Sequence, residues 1–131
     1  MRTRIGKESS MSNPGNNHRI NYVEFTTIDI VRCKQFYSQV FGWSFEDWGP
    51  EYISFSAAAA GIDGGFRKGE QATASTGGGP LIVLYASDLA ATEQAILTVG
   101  GTITIPTFEF PGGHRFHFAD GAGNELAVWS E

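Results

Sequence analysis

The sequence predicts an α+β fold in which two tandem βαβββ modules form curved mixed sheets around a central cavity, with the helices outside. Three observations predict it. Apolar residues alternate along short stretches and recur at helical spacing between them, so strands and helices are interleaved. The order strand, helix, three strands then occurs twice. The two copies also superimpose with a shift of 59 residues, which sets Val23 on Ile82, Phe25 on Leu84, Asp29 on Asp88, Val40 on Val99 and Gly42 on Gly101. Two copies of so long a unit do not make a solenoid, so each curled sheet must cover its apolar side with its own helix and turn its hollow side to a shared cavity.

Residues 1–19 have almost no large apolar side chains and cannot offset the entropy of ordering; they read as a disordered tail, with His18 solvated. The single domain occupies residues 20–131, with the first module at 20–66, a linker at 67–79 and the second module at 80–131. INYVEFTT is the first strand, with Val23 and Phe25 on one face and Tyr22, Glu24 and Thr26 on the other. Asp29 offers an N-cap, Ile30, Cys33, Phe36, Tyr37, Val40 and Phe41 follow at helical spacing, and Gly42 ends the helix. WSFEDW, EYISFS and AAGIDGGF are three short strands, the last weakened by Gly64 and Gly65 and preceded by a small-residue connection around Ala57 to Gly61. RKGEQATASTGGG is the polar, glycine-rich linker. The order then begins again: PLIVLYAS is a strand, Asp88 a cap, LAATEQAILTV a helix with Leu89, Ile96 and Val99 inward, and Gly100 and Gly101 the stop. GTITIPTF, HRFHFA and NELAVW complete the second module.

Composition excludes several classes of function. The net charge is −5 and the only basic grouping is Arg2, Arg4 and Lys7, so nucleic acid is not an expected partner. No apolar run approaches the ~20 residues of a membrane span. The single cysteine, Cys33, lies on the inner helix face, which suits a buried, inert thiol and a cytoplasmic location. The glycines at 77–79 precede a strand and lack a following lysine, so they form no phosphate-binding loop.

The chain's end, HRFHFADGAGNELAVW, holds the densest group of chemically capable residues. In a strand, His114 and His117 fall on opposite faces, whereas Arg115 and His117 share one. Asp120 has turn surroundings and is expected to bond its own loop. In the last strand Glu125 and Trp129 share the face opposite Leu126 and Val128, so they point into the cavity. Tyr22, Glu24, Arg115, Glu125, His117 and Trp129 could thus surround a small polar aromatic ligand. His117 is the candidate general base, with Glu24 as a second catalytic candidate; a structural Glu24–Arg115 ion pair is the alternative for those two. Phe108 and Phe110, in TFEFPGGHR, read as ligand-contacting residues on a bendable lid or a dimer contact, with a simple turn stabilised by packing the two rings as the alternative. Trp43 and Trp48 read as core or interface aromatics.

The paired βαβββ units, INYVEFTTIDIVRCKQFYSQVFGW and FADGAGNELAVW closely resemble the glyoxalase, bleomycin-resistance and extradiol dioxygenase superfamily, also called vicinal oxygen chelate proteins. GIDGGF and the connection into PLIVLYASDL are most similar to its small proteins related to lactoylglutathione lyase. The resemblance implies a glyoxalase-like fold, a homodimer, a small-molecule ligand and, in the superfamily's enzymes, a divalent metal held by His, Gln or Glu on the first and last strand of each module. Carried over, those ligand positions fall on Tyr22, Gly64, Leu81 and Ala127. Three cannot bind a metal and neutral tyrosine is a poor ligand, so the expectation is no metal and no other cofactor. Three functions follow: small-molecule binding of the bleomycin-resistance type without a metal; a lyase, isomerase or dioxygenase-like enzyme using acid and base residues or a metal relocated to His117, Glu125 and Glu24; or a protein interaction module.

Overall fold

A computed structural model describes residues 14–70 and 78–131. The expectations for residues 1–13 and 71–77, most of the tail and of the linker, lie outside them. After a short 3-10 turn at Pro14–Asn16, the first module runs β1 (Tyr22–Thr27), α1 (Ile30–Phe41), β2 (Glu46–Asp47), β3 (Tyr52–Phe55), a four-residue α2 (Ala57–Ala60) and β4 (Asp63–Lys68). The second runs β5 (Val83–Tyr85), α3 (Leu89–Thr98), β6 (Thr102–Phe110), β7 (Gly113–Ala119) and β8 (Glu125–Ser130). Each module forms a four-stranded mixed sheet, in the orders β1-β4-β3-β2 and β5-β8-β7-β6. In both, the strand before the helix pairs in parallel with the module's last strand, so the sequence repeat is also a repeat of topology.

The caps are the expected ones. The Asp29 side chain accepts from Arg32 N at 3.0 Å and that of Asp88 from Ala91 N at 3.0 Å, each satisfying a helix N–H that has no intrahelical partner. Gly42, at φ 74°, closes α1 by donating its N–H to Ser38 O. Phe25, Ile53, Phe55 and Phe66 of the first sheet and Phe116, Phe118, Leu126 and Val128 of the second are buried with Cys33, Phe36 and Tyr37 of α1 and Ile96 of α3. The two modules join through this core: the rings of Phe36 and Phe118 stack at 5.7 Å. Around that contact, Thr27 Oγ1 donates to Ala122 O at 3.0 Å, Arg32 Nε to Asp120 O at 3.0 Å and Tyr37 Oη to Asp120 Oδ2 at 2.9 Å.

Four elements differ from the sequence reading. The glycine-rich β4 is no weak edge: it lies between β1 and β3, and it continues through Arg67 and Lys68, which the sequence assigns to the linker. A Cβ on Gly64 would collide with the Val23 carbonyl and the Phe55 ring, and one on Gly65 with the Tyr52 hydroxyl, so the glycines are what permits this strand to pack. The connection at 57–60 is the helical turn α2 rather than loop. Phe108 and Phe110 do not sit on a lid but in β6, which pairs with β7 up to Phe110 opposite Gly113. Pro106 is tolerated there because β6 is an edge strand, and the pairing is irregular between Ile105 and Phe108. Finally, β5 is reduced to three residues, with Val83 and Tyr85 each about half exposed.

Candidate functional site

Each sheet has one face against the core and one open face. On the first sheet the register aligns Tyr22, Glu24 and Thr26 of β1 with Asp63, Gly65 and Arg67 of β4, and Gly65 and Arg67 with Ser54 and Tyr52 of β3. These polar residues bond one another. The Tyr22 and Tyr52 hydroxyls are 2.5 Å apart, and Tyr52 Oη donates to Glu24 Oε1 at 2.9 Å. Arg67 Nε lies 3.5 Å from Glu24 Oε2, and Arg67 Nη2 donates to Thr26 Oγ1 at 3.1 Å. Burial, together with the hydrogen bonds to Tyr22 and Glu24, raises the Tyr52 pKa, so its hydroxyl stays protonated. Glu24 therefore pairs with Arg67, not with Arg115, and the Glu24–Arg115 alternative is corrected: the two belong to different sheets. Tyr52 and Arg67 escaped the sequence reading, the second because it was placed in the linker.

On the second sheet, Val83 and Tyr85 of β5 align with Ala127 and Trp129 of β8, which align with His117 and Arg115 of β7, which align with Ile105 and Phe108 of β6. Strand parity is as expected. His114 pairs with Glu109 and Ser130, on the opposite face, and lines a separate surface cleft of ≈ 240 Å³ with Leu89, Glu93 and Thr107, so the two histidines do not converge. The open face is aromatic. Trp129 meets Tyr85 at 5.1 Å and Phe110 at 6.2 Å, each edge-on, and Phe108 lies 6.0 Å from the His117 ring. The Arg115 guanidinium sits over both Phe108 and Phe110, at 5.2 and 5.5 Å from the ring centroids.

His117 is deeper than a cavity-lining residue needs to be, at 8 % exposure. Burial lowers its pKa, the nearby Arg115 cation lowers it further, and Glu125 opposes them in part. The imidazole is therefore neutral at neutral pH. Its Nε2 and the Nε of Arg115 are buried without a hydrogen-bond partner among the described residues. Glu125 lies at the far end of the face, where Thr104 Oγ1 donates to its Oε2 at 2.7 Å. Tyr85, whose hydroxyl donates to Glu131 at 2.5 Å, is the residue of this face that sequence reasoning missed, although the parity of its strand would have revealed it.

The residues that form no part of either face are accounted for by packing. Asp120 is fully buried; its Oδ1 accepts from Ala122 N at 2.7 Å and Asn124 N at 3.1 Å, its Oδ2 from Asn124 Nδ2 at 2.9 Å and from Tyr37. Cys33 is fully buried, and burial with the Asp120 charge pushes its thiol up to about 12, so it carries no thiolate at neutral pH. Trp43 is core, whereas Trp48 is 40 % exposed and donates from Nε1 to Ser54 Oγ at 2.8 Å. Among the described residues no helix is long and apolar enough to cross a membrane.

The model of the glyoxalase/bleomycin resistance protein/dioxygenase superfamily matches residues 19–128. The chain belongs to this superfamily. Its fold matches those of a glyoxalase-related enzyme from Fulvimarina pelagi (17% identity over 87% of this chain and 88% of that one, TM-score 0.70) and a lactoylglutathione lyase from Agrobacterium tumefaciens (16%, 86% and 93%, TM-score 0.65). TioX from Micromonospora sp. ML1 has a similar fold (20%, 84% and 96%, TM-score 0.63). Among curated proteins, none matches the chain.

The superfamily's metal chemistry can be tested against the residues present. Glu24 and Val83 correspond under the 59-residue shift, and they pair with Gly65 and Ala127 respectively. The first-module counterpart of Ala127 is therefore Gly65 rather than Gly64, whose α-carbon faces the core side; either way it brings no donor. The ligand positions hold Tyr22, Gly65, Leu81 and Ala127, a phenol and three positions without a donor atom, which do not fit a divalent ion. The relocated set does not fit either, because Glu24 is on the other sheet and paired. Among the described residues no three of His, Cys, Asp and Glu gather closely enough to hold a metal ion.

Proposed function

We propose that the chain binds a small aromatic molecule on the open face of its second sheet, without a metal ion, and acts by sequestering or carrying it. The observation that carries this reading is the exchange at Ala127. Where the superfamily resemblance puts a coordinating carboxylate there is a methyl group, and around it stand Trp129, Phe108, Phe110 and the unbonded nitrogens of Arg115 and His117. Such a face offers stacking surface and orienting polar groups but no donor set for a cation. Tyr22, Val83, Tyr85 and Ile105 leave both open faces partly apolar and 41 to 50% exposed in the single chain. This supports a homodimer in which a second copy covers them.

The test combines metal analysis with binding. Protein purified without a chelator or an affinity tag should contain no stoichiometric metal, and its melting temperature should not rise on adding Ni²⁺, Zn²⁺, Mn²⁺ or Fe²⁺. Aromatic ligands should quench Trp129 equally with and without EDTA, with Trp129→Phe assigning the signal, and sedimentation equilibrium should give a dimer. A stoichiometric metal lost on mutating Glu125 or His117 would sink the reading.

A second reading is favoured by one observation: His117 is unprotonated at neutral pH and its Nε2 has no hydrogen-bond partner among the described residues, which leaves it free to act as a general base. In that case a bound ligand would turn over, and His117→Gln would abolish turnover while leaving binding in place.

A further inference from the structure

We propose that the ligand of the second sheet is an aromatic carboxylate, with Arg115 as its anion anchor, His117 Nε2 as a second hydrogen-bond contact and Trp129 against its ring. The proposal rests on the binding reading above and specifies its ligand. Four observations converge on it.

First, the Arg115 charge is held but not compensated. Phe108 and Phe110 flank the guanidinium at 5.2 and 5.5 Å, and aromatic faces orient a cation without accepting its N–H groups in the manner of a carboxylate. Among the described residues its Nε is buried without a partner, and neither of the ion pairs Lys34–Asp47 and Arg67–Glu24 includes it. In a chain of net charge −5, a half-buried arginine left in that state has room for an acceptor from outside.

Second, His117 is more than nine-tenths buried and its Nε2 has no partner either. It stands two residues from Arg115 on the same face, about 7 Å along the strand. Both side chains approach the ring of Phe108, at 6.0 and 5.2 Å from its centroid. A guanidinium and an imidazole N–H on one face can each donate to an oxygen of one planar carboxylate.

Third, the register sets Ala127 directly across from His117, with Val83 beyond it. A methyl at that position adds no negative charge in front of the imidazole. The acidic groups beside this face are Glu125, two residues away and bonded to Thr104, and Glu131, which accepts from Tyr85. The loss of a coordinating carboxylate and the presence of an uncompensated arginine together invert the site's preference from cation to anion. Fourth, Trp129 pairs directly with Arg115 and is itself flanked edge-on by Tyr85 and Phe110, which leaves an apolar wall beside the anchor for the ligand's ring.

The experiment compares 2-naphthoate with its neutral isostere 2-naphthamide, by calorimetry on the full chain at pH 7 in the presence of EDTA, with inorganic phosphate as competitor. Wild-type protein should bind naphthoate at least tenfold more tightly than naphthamide. Arg115→Met, which keeps the packing stem, should bring naphthoate down to the naphthamide level and leave naphthamide within about twofold. Arg115→Lys should fall between, because it keeps the charge and loses the planar fork, and His117→Gln should weaken naphthoate several-fold, with circular dichroism confirming that each variant folds. Equal affinity for the two probes, or an Arg115→Met protein that still prefers naphthoate, overturns the anion site while the small-molecule reading stands. If neither probe binds, both fall. If phosphate competes as well as naphthoate, the site takes anions generally and the aromatic half of the proposal is overturned.

Discussion

The two sheets share one topology and have opposite open faces. On the first, Tyr22, Tyr52, Glu24, Arg67 and Thr26 bond each other in a chain, so each charge meets its partner within the module. On the second, the arginine is clasped by two phenylalanines and the histidine is buried, both with a nitrogen left unbonded. A duplicated backbone thus does not duplicate its chemistry. A polar face that satisfies itself gains order and has little left for a ligand, whereas one that withholds a hydrogen bond is preset to accept one. The contrast rests on a few side chains, because the underlying register, Glu24 on Gly65 and Val83 on Ala127, is the same.

The largest effect is expected at the joint that holds the two faces in place. Asp120 receives hydrogen bonds from Tyr37 of the first module and from Ala122 and Asn124 of its own loop, all buried. Asp120→Ala leaves those donors unpaired at about 1–3 kcal/mol each where they cannot relax. A loss of roughly 3–5 kcal/mol in urea unfolding is expected. A loss below about 1 kcal/mol would mean that the Phe36–Phe118 contact and the bonds to the Ala122 and Asp120 carbonyls hold the modules without the Asp120 carboxylate.

Next in size is the pair of substitutions that contrasts the faces directly. Glu24→Gln breaks an ion pair whose side chains are both about half exposed. It should change stability by under about 1 kcal/mol and leave ligand affinity unchanged. Arg115→Met loses two cation–π contacts but no ion pair, so it should cost no more than about 1–2 kcal/mol, and it should lower naphthoate affinity tenfold. If Glu24→Gln weakens binding as much as Arg115→Met does, the two faces act together on one ligand and the division drawn here fails.

Much of this was legible in the sequence, and what was not has a physical cause. The repeat, both aspartate caps and the split of His114 from His117 follow from local periodicity and capping chemistry, which need no partner strand. The central position of β4 was not legible: glycine disfavours strands in isolation, and the need for it comes from Val23, Phe55 and Tyr52 pressing on Gly64 and Gly65. The sequence ends the strand at Phe108 because Pro111, Gly112 and Gly113 signal a bend, whereas β6 continues to Phe110 and turns directly into β7, with Phe110 opposite Gly113. Parity put Arg115 and His117 on one face of their strand and His114 on the other, as the register has them, yet Glu24 is bonded by Arg67 from a neighbouring strand, and no local pattern carries that.

A smaller effect separates the faces by pH. His117 has a folded pKa below its ordinary value of 6.5, through burial and Arg115. The unfolded chain then takes up the proton more readily, so the stability that neutral His117 contributes is present above about pH 6.5 and is lost as the pH falls through the folded pKa. His117→Gln should remove that slope from urea denaturation between pH 7.5 and 5. A bound carboxylate should reverse the sign locally by favouring the imidazolium, so naphthoate affinity should rise over the same interval in wild type and stay flat in the variant. An affinity that falls with pH would place the carboxylate away from His117.

The smallest change in neutral buffer concerns Cys33, which belongs to neither face but lies beside the joint, 3.2 Å from Thr27 Oγ1 and 4.0 Å from Asp120 Oδ2. Its thiol, pushed up to about 12 by burial and by Asp120, resists ionisation in the folded state. The sign is opposite to that of His117. The contribution to stability is complete below the unfolded thiol's pKa of roughly 8.5 and is lost as the pH rises towards the folded value. Cys33→Ala should therefore flatten the alkaline side of the stability profile between pH 8 and 10.5. In wild type at pH 7.5, a thiol reagent should react only as fast as the chain opens. Rapid labelling of the native protein would show that the joint breathes, and that the two faces are less rigidly related than their shared core implies.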